Sequence, residues 1–272
     1  MPALESFPYV TQRNGLPATA ADLAPLAFAG YAHFTAMQVR GGRVRGLDLH
    51  LARLRAASLT MFGQALPDTA IVDALRSAIR ASPEDLSLVA TVYSPAGEFT
   101  VAQGDTPLDI LVRTGPPSNG PAGPLSLAAM QHERMLPAVK HVGEVAKTYL
   151  LRQAARQGAD DAAFVDRQGR LSEASIWNLA FWDGQAVVWP DAQMLTGTTM
   201  GIVQRQLRDR QIPQRVQPVR LADLPAMAGA AVMNSWTPGV AVRRIVDTAM
   251  PDAPAFMTLL HDAYQAEALM AP

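Results

Sequence analysis

The sequence predicts an α+β fold built as two domains, and three observations carry that reading. Strand-like and helix-like apolar patterns are mixed along the chain without the steady alternation of a doubly wound parallel sheet. Residues 112–124, VRTGPPSNGPAGP, are dominated by Pro and Gly, and no apolar periodicity survives there. Apolar residues make up 49% of the 272, enough for one large core or two modest ones. The boundaries drawn are a small N-terminal domain over 1–115, a linker over 116–124 and a larger C-terminal domain over 125–272.

In the first domain, HFTAMQVRGGRVRG reads as two strands around a turn at Gly41-Gly42. A helix follows from about Asp48, because His50, Leu51, Leu54, Ala57, Ser58 and Met61 recur at helical spacing until Gly63 stops them. A second helix runs over 70–81, and LSLVATVYS reads as a strand. In the second domain, Val142, Val145, Ala146, Tyr149 and Leu150 give a helical stripe that ends at Gly158. The strand AAFVD leads into a type I turn at Asp166-Arg167-Gln168-Gly169, with Asp first and Gly fourth. One strand then runs through Glu173 to Asn178, followed by a hairpin at Asp183-Gly184 and the strand QAVVW. A helix opens near Gly197-Thr198-Thr199 and ends before Pro213. AAVMNSWTPGVAV reads as strand, turn, strand, and the last helix starts near Pro254.

Composition removes several function classes. A net charge of −1, with Arg40, Arg43 and Arg45 as the densest basic group, gives no electrostatic footprint for nucleic acid or anionic lipid. The absence of cysteine excludes disulfides, thiolate metal sites and thiol catalysis. The opening MPALESFPYV lacks a basic segment before an apolar run, and no stretch approaches about 18 uninterrupted apolar residues. The expectation is a soluble cytoplasmic protein with no membrane or nucleic-acid partner. His132-Glu133 begins like the zinc motif HExxH, but Leu136 holds the second histidine position, and no metal site is expected. There is no GxSxG elbow, no Walker A loop and no GxGxxG after a strand.

Several residues could carry chemistry. Lys140 follows Pro137-Ala138-Val139 in an apolar setting just before a helix. Desolvation there would lower its pKa and free the amine to attack a carbonyl, although a lone lysine is more often a surface residue. Lys147 falls within the helical pattern, where surface exposure is the simplest account. Glu173 sits in GRLSEASIWN after a tight turn. Gly197-Thr198-Thr199 opens a helix with free N–H groups and two hydroxyls, which suits either a phosphate or an ordinary cap. Ser235, in VMNSWTPG, is a turn hydroxyl with the same ambiguity.

The order and spacing of these pieces resemble the class IV aminotransferases. The matching residues are Lys140, then GADDAAFVD from Gly158, DRQGRLSEASIWN with Glu173 and Asn178, and Leu195-Thr196-Gly197-Thr198-Thr199. In the N-terminal half, HFTAMQVRGGRVRGLDLHLARLRAAS resembles the family's segment, with Arg53 on its phosphate-binding arginine and Phe34 on a site-lining aromatic. NSWTPGVAV is similar to the second phosphate turn and brings in Ser235 and the Trp236 backbone. The resemblance implies fold-type IV, a small α/β domain beside a larger domain with a β-barrel-like sheet that carries the lysine. It implies pyridoxal 5′-phosphate held as a Schiff base by Lys140, with Glu173 on the pyridine nitrogen. Arg53, Gly197, Thr198, Thr199, Ser235 and Trp236 would hold the phosphate. It also implies a homodimer, with the site near the interface of the two domains.

The departures concern substrate. Met200 stands where the family's L-x-G-I-T-R turn ends in arginine, and Ala29-Gly30-Tyr31-Ala32 replaces the usual Gly-Asp pair. The strand Leu88–Ser94 lacks the arginine that many members use, and Tyr93 takes part of that space. Arg134 serves either a substrate carboxylate or a structural ion pair. The leading expectation is an aminotransferase moving an amino group between an amino acid or amine and a 2-oxo acid. The alternatives are a lyase resembling aminodeoxychorismate lyase, to which Phe34-Thr35-Ala36 and Lys140-His141 have some likeness, and a non-catalytic relative.

Overall fold

Strict alternation along two eight-residue strands builds the first sheet. The protein is described by a computed structural model over residues 8–27, 30–96 and 107–272. Residues 1–7 and Ala29, which entered the readings above, lie outside the described residues. The first unit comprises Met1–Ser118, Val139–Gly143 and Leu269–Pro272. Its elements are β1 (Thr11–Arg13), β2 (Leu16–Pro17), α1 (Ala20–Ala27), β3 (Ala32–Val39), β4 (Val44–Arg45), α2 (Leu47–Phe62), α3 (Asp68–Arg80), β5 (Leu86–Tyr93) and β6 (Asp109–Gly115). The sheet order is β2-β1-β6-β5-β3, with antiparallel neighbours throughout.

Met37 and Val39 of β3, Leu86, Leu88, Ala90 and Val92 of β5, and Ile110 and Val112 of β6 face one way. They pack against Leu54 of α2 and Ile71, Ala74, Leu75 and Ala78 of α3. Helix α2 ends as its sequence predicts: Gly63 takes φ 72°, and its N–H donates to the Leu59 carbonyl. Two polar pairs are sealed between β3 and α2. His33 Nε2 lies 2.8 Å from Ser58 Oγ, and His50 Nδ1 lies 2.6 Å from Thr35 Oγ1.

The second unit comprises Asn119–Ala138 and Glu144–Ala268. It contains β7 (Leu125–Gln131), α4 (Val145–Arg156), β8 (Asp161–Val165), β9 (Leu171–Ala174), β10 (Asn178–Trp182), β11 (Val187–Pro190), α5 (Thr198–Asp209), β12 (Gln214–Gln217), β13 (Gly229–Met233), β14 (Val240–Ile245), β15 (Thr248–Ala249) and α6 (Pro254–Ala266). The strands run β12-β11-β10-β13-β14-β7-β8-β9, and β9 pairs back onto β10. The ring is therefore closed. Its interior collects residues from every strand of the ring, among them Leu127, Ala163, Leu171, Leu179, Phe181, Val232 and Val242. The intervening residues Ala180, Ala231 and Met233 turn outward to meet α5 and α6 through Val203, Leu207, Phe256 and Leu260.

Three sequence expectations change. The single strand expected from Glu173 to Asn178 is two strands, β9 and β10, with a reversal at Ser175–Trp177. The cause is Asp161: its buried carboxylate accepts the Ser175 N–H at 3.1 Å and the Trp177 indole N–H at 2.9 Å. The stripe expected on α4 is not its buried face, since Val145 is 82% and Tyr149 61% exposed. Instead Leu150 and Ala154 pack on Phe164, and Lys147 shares their side of the helix. The segment Val139–Gly143, with Lys140, packs with the first unit and not with the C-terminal residues. Phe34 N–H donates to the Lys140 carbonyl, Val142 N–H donates to the Ala32 carbonyl, and Val139 packs on Ala57 and Met61. These bonds make 140–142 a short added strand on the β3 edge.

Burial makes the first unit acid-sensitive. It holds the His33 pKa down at about 4, and with nearby Arg53 adding to the effect it holds His50 at about 3, against an ordinary 6.5. The folded pKa values are depressed and the unfolded chain binds the protons, so stability falls as pH drops from 6.5 towards 4. Each histidine contributes at most about 1.4 kcal/mol per pH unit in that window. Denaturant unfolding between pH 7 and 4.5 will show this slope, and His50→Gln will flatten it; an unchanged slope in His50→Gln would rule the account out.

Candidate active site

Closure of the ring creates the first feature of the site. The antiparallel register sets Glu173 of β9 directly across from Asn178 of β10. Asn178 is buried, and its amide Nδ2 donates to the Leu195 carbonyl at 2.7 Å. This anchors the turn that leads into α5. Gly197 passes so close that a Cβ there would meet Asn178 Oδ1 at 2.0 Å, so only glycine fits. Directly after it, Thr198 and Thr199 are buried in the first turn of α5, and Thr198 Oγ1 is buried with no hydrogen-bond partner. Glu173, Asn178 and the Gly197–Thr199 turn thus form one rigid assembly.

Glu173 is nearly buried and lies among charges. Its Oε1 is 3.3 Å from Lys147 Nζ and 3.5 Å from Arg134 Nε. The same Oε1 has no partner in hydrogen-bond geometry. Arg134 grips Glu144 more closely, with Nε 2.8 Å and Nη2 2.6 Å from Glu144 Oε1. Its side chain is 3% exposed, so of the two roles open to Arg134 the geometry serves the ion pair, with its donors turned onto carboxylates of its own chain. Lys147 departs from its expected surface position: its side chain is 13% exposed, over the Phe164 ring. Burial lowers its pKa, and Glu173 works against that shift. His132 also meets Phe164, the rings in edge contact at 4.7 Å, and burial lowers its pKa too.

The 234–237 turn is closed on itself. Asn234 N–H donates to the Thr237 carbonyl at 3.1 Å, and Trp236 N–H donates to Asn234 Oδ1 at 2.8 Å. The Trp236 amide expected to face an anion is therefore already engaged. Its ring meets Trp177 edge-on at 5.8 Å, and Ser235 is half-buried beside it. Met200 does not line this assembly. It is 3% exposed in the core with Val203, Ala231 and Met233, where an arginine would bury an unpaired charge.

The first unit holds the other predicted residues. Lys140 pairs with Phe34 across the β3 edge, so both side chains project from the sheet face opposite α2, and Lys140 Nζ sits 4.8 Å from the Phe34 ring centroid. Arg53 is half-buried on α2, close enough to His50 to help depress its pKa. Tyr93 is buried at the end of β5, where its hydroxyl donates to the Asp22 carbonyl at 3.3 Å. Sequence reasoning missed three supporting residues: Asp161, Asn178 as an anchor, and Lys147. The buried period Lys147, Leu150, Ala154 was the signal available for the last.

The fold that carries this buried carboxylate and glycine-gated helix N-terminus has counterparts among known proteins. The profile described as "Amino-transferase class IV" matches residues 32–245, and the chain belongs to that family. A branched-chain aminotransferase from Thermoproteus uzoniensis superposes with a TM-score of 0.78 at 17% identity, covering 94% of this chain and 93% of that one. A putative 4-amino-4-deoxychorismate lyase from Legionella pneumophila gives 0.79 at 17% identity, over 92% and 96%. A hypothetical aminotransferase from Mycobacterium tuberculosis in its PLP-bound form gives 0.76 at 23% identity, over 95% and 98%. The fold is thus the fold-type IV architecture expected from sequence. A comparison with the curated proteins finds no match. Among the described residues, no helix is long and apolar enough to cross a membrane.

The Gly197 contact can be tested directly. Gly197→Ala is expected to destabilise the fold by about 2 kcal/mol or more through overpacking. Adding Asn178→Ala removes the clashing atom, so the double variant will lose less than the sum of the two singles. Additive losses in urea unfolding would show that the two positions do not touch.

Proposed function

We propose that the protein is a pyridoxal-phosphate-dependent aminotransferase that moves an amino group between an amino acid or amine and a 2-oxo acid. The observation that carries the reading is the rigid Glu173–Asn178–Gly197 assembly. It joins a buried carboxylate, suited to a ring N–H, to a helix N-terminus with an orphaned buried hydroxyl, suited to a phosphate oxygen. Membership of the class IV family supports the same cofactor. When bound, that cofactor supplies an electron sink for the carbanion left after a proton is removed from the substrate carbon.

The chain's own groups do the rest. Lys140 supplies the amine that holds the cofactor aldehyde, and its Nζ then moves the proton at the substrate carbon. Its neighbour Phe34 presents an aromatic face that orients the amine. Glu173 holds the ring-nitrogen proton. Thr198 Oγ1 and the first N–H groups of α5 receive phosphate oxygens, with Arg53 and Ser235 as the remaining donors. For the Trp236 N–H to join them, it must leave Asn234 Oδ1. The reading includes a cytoplasmic homodimer with two-fold symmetry.

Lys147 is the rival for the cofactor, and its geometry argues against it. Its Nζ touches Glu173, the group assigned to the ring nitrogen, whereas the aldehyde carbon lies para to that nitrogen across the full width of the ring. One amine cannot keep both contacts.

Borohydride reduction of the purified protein with pyridoxal phosphate, followed by digestion and mass spectrometry, is expected to tag Lys140. Lys140→Ala will lose turnover, and Glu173→Gln will still bind the cofactor, about tenfold more weakly, while slowing turnover by about 100-fold. A tag on Lys147 would overturn the lysine assignment. Release of pyruvate from aminodeoxychorismate without amino transfer to any 2-oxo acid would select the lyase.

A further inference from the structure

The buried charges around Glu173 have a function of their own. Arg134, Glu144, Lys147 and Glu173 come from the β7–α4 connection, α4 and β9, and their two positive and two negative charges balance. His132 also faces them, and burial disfavours its charged form. A lysine is costly to bury, and Lys147 is largely withdrawn from water in a helix whose opposite face, with Val145 and Tyr149, is open to solvent. Packing alone does not account for a charged group on the buried side.

What Lys147 touches does account for it. Lys147 and Arg134 both make their closest approach to Glu173 at Oε1, at 3.3 and 3.5 Å. Two cations drawn to one carboxyl oxygen bias the rotation of the group and turn the second oxygen towards another donor. We infer that Lys147 is a positioning residue: by drawing Oε1 to itself it turns Glu173 so that Oε2 is presented to the cofactor's ring nitrogen. This inference rests on the cofactor reading for its consequence, but the clamp itself belongs to the cofactor-free chain. Lys147 does not touch substrate or reacting atoms in this scheme. It acts through Glu173.

The test separates the clamp from the cofactor. Glutamate side-chain carboxyls are labelled with carbon-13, the Glu173 signal is assigned by its loss in Glu173→Gln, and its chemical shift is read at neutral pH in cofactor-free protein. Lys147→Met is expected to move the Glu173 signal, and Lys147→Arg to return it towards the parent position. In the same variants the dissociation constant for pyridoxal phosphate will rise about tenfold in Lys147→Met and stay near the parent value in Lys147→Arg. Should Lys147→Met fail to fold, Lys147→Gln keeps a polar donor without the charge and carries the same comparison. An identical Glu173 signal in the parent and the uncharged variant overturns the inference. A parent protein that binds no pyridoxal phosphate defeats the function reading instead, and the comparison of Glu173 signals still decides whether Lys147 holds Glu173.

Discussion

Strand β9 reverses into β10 within three residues, and the second unit depends on that reversal. It lays Glu173 against Asn178 and so joins the last strand of the sheet back onto β10, closing a ring from β10 through β13, β14, β7 and β8 to β9. A ring has no free edge, and its interior can fill with apolar side chains from every strand. The reversal costs backbone hydrogen bonds, which Asp161 replaces from the neighbouring strand with acceptors for the Ser175 N–H and the Trp177 indole. One buried carboxylate thus shapes the turn, and the turn places a second one.

From Asn178 the constraint passes outward. Its amide holds the Leu195 carbonyl, and its oxygen occupies the space where a side chain at 197 would stand. The start of α5 is therefore set relative to Glu173 by a single side chain, with no flexible linker between them. Precision of this kind suits a ligand with two fixed points, one accepting charge at a helix N-terminus and one donating a proton to a carboxylate. The same rigidity explains why Met200, the third residue of the helix, turns away: the anchored helix directs that position into the apolar layer it shares with α6.

The first unit follows a different logic. Alternation along β3 sends His33 and Thr35 to α2 and Phe34 to the other face, and the 140–142 segment adds to the strand edge in register, so Lys140 joins Phe34. A side chain on a strand edge is held by backbone hydrogen bonds on one side only. The buried histidine pairs on the opposite face favour the folded sheet while they remain neutral.

Local patterning was sufficient for much of this. The helices at 47–62 and 68–80, the long strand of 86–93 and the turn at 166–169 all follow from short-range periodicity and turn chemistry, which are properties of neighbours in sequence. The spacing of Lys140, Glu173, Asn178 and Gly197 was likewise legible, and with it the family. Tertiary structure decided what depends on partners far along the chain. It split 171–182 into two strands because Asp161 draws the turn closed. It moved Lys140 to the first unit because strand edges recruit whatever segment completes their hydrogen bonds. It turned Lys147 inward because a carboxylate on another strand offsets its desolvation. A sequence pattern ranks a lone lysine as exposed, since water is the default partner for a charge; only the folded chain supplies a better one.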